Sequence, residues 1–319
     1  MPSAIKSGLR IALMTSVVLL AWKVTSAAPD NGFDLGNASI DRAQIMHGGP
    51  GKDGIPAIDQ PSFIAADSAD YLQADDRILG IDIDGTARAY PIAILNWHEI
   101  VNDRINDQAF AVTYCPLCGT GVAFSSDVGN YQLDFGVSGL LYNSDVLLYD
   151  RQTESLWSQI KSEAVSGKLV GRELERLPLA HTTWADWRQQ YPKTTVLSTD
   201  TGYSRDYQRD PYDGYAESRA TYFQVSHQAP PAYHPKERVL GVELNGNFRA
   251  YPFIELQRAG QPVLQDDIDG ERLTIRWDAE HRSASAHDAR GQPIAAIEGF
   301  WFAWFTFHPQ TTIFKAAAD

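Results

Sequence analysis

A stretch of this chain is written twice, so whatever it folds into must contain the same piece of sheet two times. Arg77-Ile-Leu-Gly-Ile-Asp-Ile-Asp-Gly-Thr-Ala-Arg-Ala-Tyr-Pro91 recurs as Arg238-Val-Leu-Gly-Val-Glu-Leu-Asn-Gly-Asn-Phe-Arg-Ala-Tyr-Pro252. In the first copy Ile78 to Ile83 is strand-like, Asp84-Gly85 is a tight-turn pair and Ala87 to Tyr90 returns, which is the pattern of a β-hairpin. A second pair of matching segments follows in the same order: Trp184-Ala-Asp-Trp187 with Pro192 and Thr194-Thr195, then Trp301-Phe-Ala-Trp304 with Pro309 and Thr311-Thr312. The expected fold is α+β and strand-rich, a single domain built from two unequal pseudo-repeats, residues 61–202 and 237–319. The first carries the extra length. Residues 203–236, rich in Tyr and Pro, read as an ordered connection, because flexible linkers are poor in aromatics.

Both cysteines fall in Tyr114-Cys115-Pro116-Leu117-Cys118-Gly119-Thr120-Gly121, directly after the apolar run Ala111 to Tyr114. Two thiols at this spacing can hold one metal ion or close a disulfide. Pro116 stiffens the turn, and Gly119 permits a left-handed backbone that folds N–H groups toward the sulfurs. The segment resembles the knuckle of zinc ribbons and rubredoxins, but there is one knuckle, so further ligands must be His, Asp or Glu. Thioredoxin-like proteins also place Cys-x-x-Cys after a strand. There a helix begins at the first cysteine, whereas here Val122-Ala123-Phe124 reads as another strand. A structural disulfide is the third alternative, weak because so short a loop restricts the unfolded chain by only about 2 kcal/mol.

Pro91 can open a helix running to about Val101, with Ile94, His98 and Val101 on one face. His98 is then either a core histidine satisfied by a hydrogen bond or, with Glu99 beside it, a ligand or general base next to the cysteines. After the cysteines, Gln132 to Val137, Ser144 to Tyr149 and Ser155 to Gln159 are candidate strands. Tyr114, Ser138, Tyr142, Asn143 and Asp145 are candidate pocket residues, and Tyr207, Tyr212 and Tyr215 could rim a cleft, packing being their commoner role. In the second half Thr274 to Trp277 aligns with Ala111 to Tyr114, placing Asp278 on Cys115 and His281 on Cys118. Ala259 and Gly260 stand where His98 and Glu99 do. That half is therefore expected to be scaffold.

Residues 1–27 have the layout of a secretory signal: Lys6 and Arg10, an apolar stretch from Ile11 to Trp22, and Thr25-Ser26-Ala27. The apolar stretch is short for a bilayer span, so a periplasmic or secreted protein with no stable membrane span after cleavage is expected. A formal charge of −13 argues against nucleic acid and anionic membranes as partners. Residues 28–60 are an irregular extension. Gly48-Gly49-Pro50-Gly51-Lys52-Asp53-Gly54 within it lacks the ending of a phosphate loop, so no nucleotide cofactor is expected.

Trp97-His98-Glu99-Ile100-Val101-Asn102-Asp103, Thr113 to Gly119, Phe135-Gly-Val-Ser-Gly-Leu-Leu-Tyr-Asn-Ser-Asp145 and Ser155-Leu-Trp-Ser-Gln159 together resemble the bacterial and archaeal family called domain of unknown function 3179. The resemblance runs from about Gly48 to the C-terminus and implies no activity. The residues themselves point to an exported protein that binds copper(I) or zinc through Cys115, Cys118 and His98, with Glu99 in any catalytic role. Two other classes stay open: a periplasmic thiol-disulfide oxidoreductase using the same pair, and a non-catalytic module recognising an envelope protein or small molecule.

Overall fold

The computed structural model describes residues 30–317; the expected signal segment 1–27 lies outside them. Among the described residues strands dominate, with four seven-residue α-helices: α1 (Ile92–His98), α2 (Trp184–Gln190), α3 (Phe253–Ala259) and α4 (Trp301–Phe307). The fold is α+β and strand-rich.

Each repeated segment is a hairpin. Arg77–Ile83 pairs with Thr86–Pro91, and Arg238–Leu244 with Asn247–Pro252. Each turn has two consecutive residues at positive φ, Asp84-Gly85 and Asn245-Gly246, the backbone a two-residue hairpin of this twist needs. The surroundings of the two hairpins follow the same order. Ala180–Thr183 runs antiparallel beside the first and Ile297–Phe300 beside the second; Thr195–Leu197 and Thr312–Ile313 run parallel on their far sides. Gly80 and Gly241 explain the aromatic ends of the two segments. A Cβ would lie 2.5 Å from the Trp187 ring at Gly80, and 2.2 Å from the Trp304 ring at Gly241. Only glycine lets the indole lie flat on the strand. The buried indole N–H groups then donate to Thr194 Oγ1 and Thr311 Oγ1, each at 2.9 Å.

α1 is shorter than its apolar pattern predicts. It ends at His98 because Glu99 turns left-handed (φ 59°) and Ile100 enters a strand paired with Thr113. Ile100–Ile105, Gln108–Cys115 and Thr120–Ser125 form a meander, with Arg176–Leu177 added beside its last strand. Ile297–Phe300 reaches that strand through Glu298 opposite Gly121, so the second hairpin and the meander make one eight-stranded sheet. The first half's extra length forms four strands of a five-stranded sheet, Phe135–Tyr142, Asp145–Asp150, Leu156–Ser158 and Glu163–Ser166, and Ile45–His47 from the extension expected to be irregular adds the fifth, because it finds the free edge of Phe135–Tyr142 to pair with.

Residues 203–236 contain no helix or strand, yet they are tied down. Tyr215 and Tyr233 are buried, Lys236 Nζ donates to the carbonyls of Ser218 and Ala220, and Trp301 Nε1 donates to that of Pro230.

Candidate functional site

The cysteines occupy a hairpin turn. Cys115 ends its strand, Cys118 N–H donates back to Cys115 O at 3.2 Å, and Cys115 sits opposite Thr120, where the next strand begins. Gly119 takes φ 62°, as the sequence predicts. No helix starts at Cys115, which removes the local setting a thioredoxin-like thiol depends on. Both thiols are free and buried.

A second hairpin delivers what faces them. Phe135–Tyr142 turns into Asp145–Asp150 through Asn143 and Ser144, two consecutive residues at positive φ. This turn aims the Ser144 carbonyl at both sulfurs, 3.8 Å from Cys115 Sγ and 3.3 Å from Cys118 Sγ. It also sets the fully buried Asp145 beside them: both sulfurs and a carboxylate oxygen of Asp145 lie within 4.8 Å of one another. Asp145 Oδ2 accepts from Ile160 N–H at 3.1 Å. Asp145 Oδ1 and Ser144 Oγ are buried and have no hydrogen-bond partner. Gln159, just after the strand Leu156–Ser158, donates to Thr113 Oγ1 (2.8 Å) and accepts from Thr120 Oγ1 (2.6 Å), tying that strand's end to the cysteine hairpin.

Electrostatically the site is prepared for a positive charge. Burial pushes the Asp145 carboxyl up to about 7, against the pull of its backbone hydrogen bonds. Burial, then repulsion from Asp145, pushes Glu99 up to about 8. Burial raises Cys115 and raises Cys118 further. Without a cation these four groups are held toward their neutral forms.

The expected residues separate on this evidence. Cys115, Cys118 and Asp145 come together, with Glu99 in their field. His98 does not join them as third ligand. Its Nδ1 is 2.7 Å from Pro56 O and its Nε2 2.7 Å from Tyr207 Oη, so one ring nitrogen is spent on the N-terminal extension and the other on the connection. Tyr114 is on the opposite face of the strand from Cys115, edge-on to His181. Ser138 accepts from Leu140 N–H at 3.0 Å and bonds Leu147 O, holding the irregularity between Val137 and Leu140. Tyr142 packs edge-on against Phe307, and Asn143 Oδ1 accepts from Ser226 N–H and Oγ–H. These are structural roles. Ser144 is newly implicated, and Tyr215, one of the tyrosines that could rim a cleft, has a buried hydroxyl without a partner and shares a core cluster with both cysteines. The sequence clue to Ser144 was a polar pair turning a hairpin immediately before an acid that the strand pattern places inside.

A family model described as protein of unknown function (DUF3179) matches residues 52–292. No curated protein and no solved structure matches the chain.

Proposed function

This chain belongs to the DUF3179 family, and from that premise, which brings no activity with it, we propose that it is an exported protein binding one thiophilic metal ion through Cys115, Cys118 and Asp145. One observation carries the reading: a fully buried carboxylate with an unbonded oxygen stands within 4.8 Å of two free, buried thiols. Burying this acid costs free energy that hydrogen bonds from the backbone and from the two thiols only partly offset. A dication would hold all three groups deprotonated and turn that cost into binding energy. The donor set favours zinc over copper(I). Zinc accepts two thiolates and a carboxylate, whereas copper(I) is selected by sulfur and gains little from a hard oxygen.

Three protein donors leave a four-coordinate ion one position short, the composition of a site that admits water or a ligand. Ser144 and Tyr215 hydroxyls are the groups available to hydrogen-bond whatever occupies it. The thiols suit a disulfide exchanger poorly, since burial holds both away from the thiolate such chemistry needs.

Elemental analysis of natively purified protein tests the reading, with close to one equivalent of zinc expected at the site. Cys115→Ser with Cys118→Ser, and separately Asp145→Ala, should each remove it. Metal content that neither change lowers, or protein whose Cys115 and Cys118 form a reducible bond and hold no metal, would end the proposal; the latter would favour an oxidoreductase.

A further inference from the structure

The two halves cover each other's turns in the same way. In the first half the turn from Cys115 to Cys118 is capped by the second half: Phe300 N–H donates to Cys118 O at 2.8 Å, and Trp301, Phe302 and Ala303 of α4 share a core cluster with both cysteines. In the second half Asp278 ends its strand as Cys115 does, and His281 follows three residues later as Cys118 does. This turn is met by the first half. Arg77 donates to His281 O at 2.7 Å, and α2 brings Asp186 to the position that Ala303 holds in α4.

The scaffold role expected of Asp278 and His281 left Asp186 out of account. We propose that Asp186, Asp278 and His281 form a second metal site, for a borderline divalent ion such as zinc, at the place corresponding to the thiol site. One ligand atom from each lies within 4.8 Å of the others. His281 Nδ1 is 2.7 Å from Asp278 Oδ2 and 3.9 Å from Asp186 Oδ1. Asp186 is held by Thr182 Oγ1 at 2.6 Å and Gln190 Nε2 at 2.8 Å, both on Oδ2, which fixes the carboxylate with Oδ1 toward the histidine. Two carboxylates and an imidazole are the donors such an ion prefers when sulfur is absent.

A second, independent feature is the cavity against which the cluster stands. It measures about 550 Å³ and is lined by Asp186 and Asp278 together with Glu298, which is 5 % exposed; Glu298 Oε1 is paired with Arg77 and Arg238, while its Oε2 finds no partner. The cavity gives an ion a way in and room for water or a small ligand. This site stands apart from the thiol site, so either can fail alone.

Cobalt(II) titration followed by calorimetry and near-ultraviolet absorption separates them, because only thiolate ligation gives an intense sulfur-to-metal band. Wild-type protein should bind two equivalents, one with the band and one without. His281→Ala, at a partly exposed position, should weaken the band-free equivalent at least about tenfold, as should Asp186→Asn, and leave the band intact. Cys115→Ser with Cys118→Ser should abolish the band and keep the other equivalent. Should the thiol reading fail, the band-free equivalent would still appear alone. Wild-type protein with no band-free equivalent, or one that binds unchanged in both His281→Ala and Asp186→Asn, would overturn the second site.

Discussion

Raising the pH should destabilise the metal-free protein through Asp145, and the structure sets the size of the effect. An acid whose carboxyl is pushed up on folding binds its proton more tightly in the folded state. Its contribution therefore falls as pH rises from the unfolded value and levels off above the folded one. For Asp145 those limits are 3.8 and about 7. At roughly 1.4 kcal/mol for each tenfold in proton affinity, the full penalty is about 4 kcal/mol, of which about 3 kcal/mol develops between pH 5 and pH 8. Buried His98 and His181 and half-buried His308 are all pushed down and act with the opposite sign below their unfolded value of 6.5. The informative quantity is accordingly the difference between wild type and Asp145→Asn, in which the amide keeps the shape and cannot ionise. Urea unfolding in the presence of a chelator should show the variant gaining on wild type by about 3 kcal/mol from pH 5 to pH 8, roughly a 1 M change in the gap between midpoints for an m-value of about 3 kcal/mol/M. With zinc bound the order should reverse, because wild type gains binding energy that the variant lacks. A gap that stays constant across this range, or closes as pH rises, would refute the claim that burial outweighs the hydrogen bonds made to Asp145.

Two further outcomes follow from the packing. Gly241→Ala and Gly80→Ala each force a methyl against a buried indole, at 2.2 Å and 2.5 Å, and should cost at least about 1–3 kcal/mol in chemical denaturation, where a neutral result would mean the indoles do not lie on these strands. His98→Ala should lower the melting temperature by leaving Pro56 O without its partner and Tyr207 Oη with Thr201 Oγ1 alone, while metal content by elemental analysis stays at the wild-type level; lost metal would restore His98 to the site.

Much of the architecture is local and could be read from residues alone. Asp84-Gly85 and Asn245-Gly246 demand left-handed backbone between alternating apolar runs, and that combination dictates a hairpin wherever it occurs. The Cys-Pro-Leu-Cys-Gly turn follows equally from a stiff residue and a permissive one. α1 ends a few residues earlier than its apolar pattern predicts because Glu99, not a residue that usually turns left-handed, does so here; pairing of Ile100 with Thr113 outweighs its preference. The partners of the cysteines were beyond the sequence. His98 is nearer along the chain and a better ligand by type, while Asp145 read as one of several turn residues. Which of them reaches the sulfurs depends on how one hairpin is laid across another, and on whether Pro56 and Tyr207 claim the imidazole first. The same holds for Asp186, which meets Asp278 and His281 only because each half closes over the other. Residue types and turn chemistry determined the two hairpins and the thiol turn; the docking of one sheet on another, where contacts join residues far apart in the chain, decided which carboxylates face them.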